Sequence, residues 1–170
     1  MQKDQAFEKM ELKSLSEYIE KNHHAYELSS LSSIEIYFSS LSEFDRKLNP
    51  NLDEIKANFQ ELMKIFNNHV SQEEKFVNTL LERIASIKIS KKDFLNDFEK
   101  FKAEHNNIFQ LVQKIKQLSN NYKVEENSSA ILKLCFARLF DFEQDLLKHQ
   151  YLEEQYLFPQ LLKRISDKVS

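Results

Sequence analysis

The sequence has no glycine and no tryptophan, and only two prolines and one cysteine in 170 residues. The missing glycine argues against a sheet protein, whose tight turns and bulges need residues free to take positive φ. Long helices with short connections need it far less. Pro50 and Pro159 leave most of the chain open to uninterrupted helix. Cys135 alone can form no internal disulfide and no thiolate metal site; between Leu134 and Phe136 it reads as a small core residue. No apolar run approaches the ~20 residues of a membrane span, so a membrane is not an expected partner. The opening MQKDQAFEKMEL lacks the apolar core of a signal peptide, which sets a cytoplasmic expectation. Net charge is −3 with both signs interleaved. No basic patch is there to meet a phosphate backbone, so nucleic acid is not expected either.

What is present is helical periodicity, in one domain spanning residues 1–170. Four segments repeat apolar residues at the 3.6-residue period. The first, residues 11–47, opens on a capping box of Ser14 with Glu17 and carries Leu28, Leu31, Phe38 and Leu41. The second, 52–87, carries Ile55, Phe59, Leu62, Phe66, His69, Glu73, Phe76, Leu80 and Ile84. The third, 92–118, carries Phe94, Phe98, Phe101, His105, Ile108, Val112 and Ile115. The fourth, 129–165, carries Leu134, Cys135, Leu139, Phe142, Leu146, His149, Glu153 and Tyr156. Turn chemistry separates them: Asn49-Pro50-Asn51, the stretch around Ser90-Lys91-Lys92-Asp93, and Asn120-Asn121 through Ser129. The expected fold is an all-α, antiparallel up-down-up-down four-helix bundle. Residues 1–12 are its expected frayed end.

The five histidines, His23, His24, His69, His105 and His149, supply one position to each helix, counting the adjacent pair once. His69 and His149 each carry a glutamate four residues on, Glu73 and Glu153. In a helix that spacing points both side chains at one spot. Positions 24 and 73 mirror about Asn49-Pro50, 73 and 105 about Ile89-Ser90, and 105 and 149 about Asn127. The groups therefore converge on one level of the bundle. A lone histidine on an apolar stripe is more often a hydrogen-bonded core residue than a ligand. Two His-x-x-x-Glu pairs with matched histidines on the other helices are a different matter. Imidazoles and carboxylates in a core are costly unless paired, and metal ions supply the pairing. Six N/O donors exceed what one tetrahedral zinc takes. They suit two divalent ions, with iron ahead of manganese or zinc. His23 and His24 point about 100° apart on a helix, so only one of them reaches the layer. His24 shares its face with Leu28 and Leu31. Asp145, one turn before His149, reads equally as an acceptor for an imidazole N–H or as a solvated charge. Core packing accounts for Tyr26, Tyr151 and Tyr156. Pro159 is expected to kink or end the last helix just past Glu153.

Four blocks carry a family resemblance: Asn22-His23-His24-Ala25-Tyr26, His69-x-x-x-Glu73-Glu74, Glu104-His105-Asn106, and His149-x-x-x-Glu153 followed by Leu157-Phe158-Pro159. In order and spacing they resemble the hemerythrin-like HHE cation-binding domain, and within it the bacterial di-iron proteins called Repair of Iron Centres. The resemblance spans residues 15–165. It implies a non-haem di-iron centre, oxo- or hydroxo-bridged, with His24, His69, Glu73, His105, His149 and Glu153 as ligands. Oxygen-carrying hemerythrins match less well, because Phe109 stands where their third block has a second histidine. Ferritin-like bundles use Glu-x-x-His instead. Two departures stand out. Repair proteins of this kind commonly carry an N-terminal domain with a cysteine pair, for which this chain shows only Cys135. Some members also have a histidine where Asp45 stands here. In an unbroken helix that position would lie ~30 Å from His24, so Asp45 is not carried over as a ligand.

The resemblance implies a role in repair of iron–sulfur clusters, or defence, under nitrosative or oxidative stress, with iron–sulfur proteins as partners. The alternative is a module that reversibly binds, senses or stores nitric oxide or oxygen. Nitric oxide, oxygen or peroxide is the expected small ligand, and a monomer or weak dimer the expected state. A metal-free helical interaction protein is the remaining reading. No Ser/His/Asp or Cys/His arrangement supports a hydrolase.

Overall fold

The computed structural model describes residues 6–84 and 91–169. All the regular structure there is helical: α1 (Leu12–Ile19), a π turn (Glu20–His24), α2 (Ala25–Ser39), α3 (Glu43–Leu48), α4 (Leu52–Ile84), α5 (Lys91–Leu118), α6 (Ala130–Leu152), a second π turn (Glu153–Leu157) and α7 (Phe158–Val169). None of these helices is long and apolar enough to cross a membrane. Each π turn joins two α-helices into one rod. Its backbone bonds step back five residues, from the Ala25 N–H to the Glu20 carbonyl and from the Phe158 N–H to the Glu153 carbonyl.

Cross-helix bonds run in opposite senses along neighbouring rods. Asn51 donates to the Leu118 carbonyl near one end of the α4–α5 pair, and Lys100 to Gln72 towards the other. Asn78 bonds Glu20, and Gln60 bonds Glu35, between α4 and the first rod. Two apolar clusters result. One gathers Leu31, Ile34, Phe38, Phe59, Phe66, Ile108, Phe136 and Phe142; the other gathers Leu12, Leu15, Ile19, Val77, Phe94, Phe101, Phe158 and Leu161. Each fully buried Leu or Phe contributes roughly 1.5–3 kcal/mol, so each cluster holds its own end of the helices together. The histidines lie between them.

Several expectations are corrected. The first segment is not one helix to residue 47: it ends at Ser39, and α3 starts afresh at a capping box of Ser42 with Asp45. Ser42-x-x-Asp45 is itself a start signal that competes with periodicity. No box forms at Ser14 and Glu17; α1 begins at Leu12 with no side-chain cap. Leu134 is 51% exposed, because the buried stripe of α6 passes through Leu132, Cys135, Phe136 and Leu139 instead. Tyr151 is likewise outward, its hydroxyl 3.4 Å from that of Tyr156. Pro159 neither ends nor interrupts its rod. It stands at the second position of α7, just after the π turn, where the missing N–H costs no regular bond. Of the expected frayed end, Phe7 packs on Tyr18 with ring centres 5.2 Å apart, and Leu12 is buried. Residues 85–87 of the second segment and Ser90 lie outside the described residues, and Lys91, Lys92 and Asp93, expected in the break, already belong to α5.

Asn120, Asn121 and Tyr122 take φ of 50°, 60° and 60° in the α5–α6 connection. Asn tolerates the left-handed region; Tyr122 is held there by a bond from its N–H to the Ser119 hydroxyl and by its ring on Phe140. This is how a chain without glycine makes the turn.

Candidate metal centre

Six side chains meet between the two apolar clusters. His24, His149 and Glu153 form one group, and His69, Glu73 and His105 the other; all six are buried. In the first, the two Nε2 atoms stand 2.9 Å apart, and Glu153 Oε1 is 3.3 Å from that of His24 and 2.5 Å from that of His149. In the second, the two Nε2 atoms stand 3.0 Å apart, with Glu73 Oε2 at 3.0 Å from His69 and 3.7 Å from His105. Glu153 joins the groups, since its Oε2 lies 3.2 Å from His105 Nε2.

Behind each imidazole stands a carboxylate from the next rod. His24 Nδ1 faces Glu74 at 2.9 Å, His69 Nδ1 faces Glu104 at 2.9 Å, and His105 Nδ1 faces Glu154 at 3.5 Å. His149 Nδ1 faces both oxygens of Glu27, at 3.1 and 2.9 Å, and so closes the ring around four rods. An ionised carboxylate only accepts, so Nδ1 carries the proton and donates. That fixes the neutral tautomer and turns each Nε2 toward the centre, where it holds a metal ion or, without one, a proton.

The donor set fits metal ions. Lone pairs facing one another beside carboxylate oxygens repel unless a cation sits among them. Glu73 Oε2 and Glu153 Oε2 are buried and lack a hydrogen-bond donor, because the nearby nitrogens lie off the line of a bond. For donors ~2.1 Å from an ion, adjacent octahedral corners stand ~3.0 Å apart and tetrahedral corners ~3.4 Å. The imidazole pairs, at 2.9 and 3.0 Å, and the carboxylate contacts, at 2.5 to 3.7 Å, span both, so each group is close enough for one ion to take its three donors. The field is that of a cation trap. Burial opposes charge on His24, yet Glu153 and Glu74 outweigh it and lift the pKa to about 9. Burial is likewise overcome at His105 by Glu153, Glu154 and Glu73, to about 12. His149 is raised well above its ordinary value against burial by Glu153 and Glu27. Burial would raise Glu153, but His149, His105 and His24 hold it well below its ordinary value.

His23 is buried without joining either group. Its Nδ1 donates to Asp145 at 2.9 Å, its ring stacks on that of His149 at 6.3 Å, and Tyr18 lies edge-on to it. Asp145 is thus an imidazole acceptor, but of His23. The π turn explains why adjacent histidines both point inward. Asp45 lies in α3, beyond the far end of the first rod, where it accepts from Ser42 and from the Ser129 N–H.

The outer carboxylates were missed as a set. Glu74, Glu104 and Glu154 are each the direct neighbour of a central residue, and Glu27 follows His23 by four, a third His-x-x-x-Glu. That spacing was a signal available for Glu27.

No protein-family profile matches the chain. Curated proteins similar to it include two iron-sulfur cluster repair proteins. The iron-sulfur cluster repair protein ScdA of Staphylococcus epidermidis is 24% identical over 155 residues, covering 88% of this chain and 66% of that protein. The iron-sulfur cluster repair protein YtfE of Yersinia pseudotuberculosis is 24% identical over 109 residues, covering 64% of this chain and 47% of that protein. The chain therefore spans just under two thirds of one relative and about half of the other. The chain is thus distantly similar to iron–sulfur cluster repair proteins over most of its length, in keeping with its resemblance to the Repair of Iron Centres proteins.

Proposed function

We propose that the chain is an antiparallel up-down-up-down four-helix bundle of the hemerythrin-like type that holds two iron ions in the cytoplasm. It serves in repair of iron–sulfur clusters, or in defence, under nitrosative or oxidative stress. The observation that carries this reading is the pair of three-residue groups sharing Glu153, with buried carboxylate oxygens that no donor satisfies. His24, His149 and Glu153 would hold one ion, and His69, Glu73 and His105 the other. Manganese or zinc fits the same donors less well, zinc because it prefers four tetrahedral ligands. Iron bound there supplies one-electron redox chemistry and a coordination position for a small ligand.

The chain's own residues do the rest. Glu74, Glu104, Glu154 and Glu27 hold the Nδ1 protons and turn every Nε2 toward the metal positions. Phe66, Phe101 and the two apolar clusters keep water from the layer. Iron–sulfur proteins are the proposed partners, with nitric oxide or peroxide as the small ligand and a monomer or weak dimer as the working state.

The second reading, reversible binding of oxygen or nitric oxide, has one observation in its favour. A space of about 10 Å³ beside the layer is lined by His24, Glu73, Glu74, Val77 and Leu157. That is room for a water-sized molecule and little more.

The test is metal content on anaerobically purified chain, followed by mixing with an apo iron–sulfur protein. Two irons per chain and transfer into clusters support repair. Two irons with reversible oxygenation and no transfer support the second reading. No stoichiometric metal sinks both.

A further inference from the structure

The ring of outer carboxylates is not even. Glu27, behind His149, is fully buried, and its only ion-pair partner among the described residues is that histidine. Glu104, behind His69, is 22% exposed and has Lys100 at 3.8 Å. Glu154, behind His105, is 38% exposed. Both carboxylates behind the His69/Glu73/His105 group are therefore screened by water, and Glu104 also has a lysine beside it. Glu27 is screened by neither.

A charge acts several-fold more strongly at an effective dielectric of about 20 than in water at about 80. One unscreened carboxylate at the back of an imidazole also makes that imidazole a better electron donor to an ion. Asp145 adds to the same side through His23, whose ring stacks on His149. Glu74, behind His24, is 35% exposed and pairs with His24 alone among the described residues. The negative potential is thus concentrated behind the His24/His149/Glu153 group.

We propose that Glu27 makes the centre electrically asymmetric, so that an iron held by His24, His149 and Glu153 is stabilised in the ferric state and the iron at His69, Glu73 and His105 is reduced first. This rests on the di-iron reading above. Glu27 acts through His149 and is a positioning residue. Each reduction step adds one electron from an external one-electron reductant to one ferric ion, giving the ferrous ion. The asymmetry separates the two steps, and the mixed-valent state between them accumulates.

The experiment is a stepwise reductive titration of the full, iron-loaded chain with dithionite, read by electron paramagnetic resonance for the mixed-valent signal, with iron content measured on each sample. Glu27→Gln keeps the size and a hydrogen-bonding partner for His149 while removing the charge. It is expected to bring the two steps together and lower the maximum mixed-valent signal. Glu104→Gln removes a charge from the other side and is expected to move the steps apart and raise that signal. Opposite shifts support the proposal, and a general loss of packing would not produce them. Two irons retained with no narrowing in Glu27→Gln, or shifts of the same sign in both variants, overturn it while leaving the di-iron reading standing. If Glu27→Gln fails to fold, Glu104→Gln decides alone: a wider separation supports the proposal and a narrower one overturns it. A wild-type chain that binds no iron overturns both.

Discussion

His69, Glu73 and His105 stand on α4 and α5, which are unbroken α-helices; His24 ends one π turn and Glu153 begins the other. The buried stripe of α5 runs Phe94, Phe101, His105, Ile108, Val112, Ile115, in steps that average close to a 3.6-residue turn. The first rod instead buries Leu15, Ile19, His23, Glu27 and Leu31, and the last buries His149, Glu153, Leu157, Leu161 and Ile165. Those are runs of steps of four. Each such step overshoots a turn by about 40°, so a plain helix would carry the stripe off the core. The π turn absorbs the drift by fitting one more residue into the backbone. A regular helix can thus bring two donors to a layer, whereas a re-phased one brings extra residues inward at the same level. Here the gain is His23 beside His24, with Glu27 aimed at His149.

The widest effect follows from the residue that belongs to both halves. Glu153→Ala removes the oxygen shared by His24 and His149 and the one that faces His105. Metal content is expected to fall from two ions per chain to well below one. Glu73→Ala touches one half only and is expected to leave about one ion, held by His24, His149 and Glu153. Metal analysis of the two variants side by side makes the check. Equal losses would mean that the layer does not divide as drawn.

The π turns give the next break point. Deleting the exposed Lys21 takes the extra residue out of the first turn and returns the rod to α phase. Either Leu12, Leu15 and Ile19 or His24 must then leave the interior. The expected outcome is a lower melting temperature and about one ion per chain, retained on α4 and α5. Two ions with unchanged melting would show that the turn is incidental.

Much of this was open to a reader of the sequence, and the parts that were not have physical causes. Periodicity marked the helices, and mirrored spacing brought His24, His69, Glu73, His105, His149 and Glu153 to one level, because a straight helix converts residue number into height at a fixed rise. What period counting missed lies where the rise or phase changes. Ser42 and Asp45 restart a helix through side-chain bonds to backbone that a hydrophobic stripe does not register. The second π turn was hidden because Pro159 reads as a breaker, although the steps of four through His149–Ile165, like those through Leu15–Leu31 at the first, record the extra residue. Glu74, Glu104 and Glu154 sit at stripe edges, where a carboxylate is ordinarily solvated, and only the lateral approach of the next rod turns them towards an imidazole.

Far from either half, Asp45 separates stability from metal holding, and its expected effect is the smallest. Its carboxylate accepts from the Ser42 N–H and hydroxyl and from the Ser129 N–H, tying the α2–α3 break to the start of α6. Burial would raise its pKa, but the bonds from Ser42 and Ser129 prevail and lower it below the ordinary 3.8. Asp45→Ala is expected to cost about 1 kcal/mol, as the loss of a helix cap does, and to leave metal content at the wild-type level. The sign of the pH dependence follows. A carboxyl with a lowered folded pKa contributes its full stability above its unfolded pKa and loses it as the pH falls through the folded value. In metal-free protein, the gap in unfolding free energy between wild type and Asp45→Ala should therefore be full at pH 7 and shrink below 3.8. Urea melts at both pH values read it directly. A gap that stays constant, or that grows in acid, would show that Asp45 contributes by packing rather than as an ionised cap.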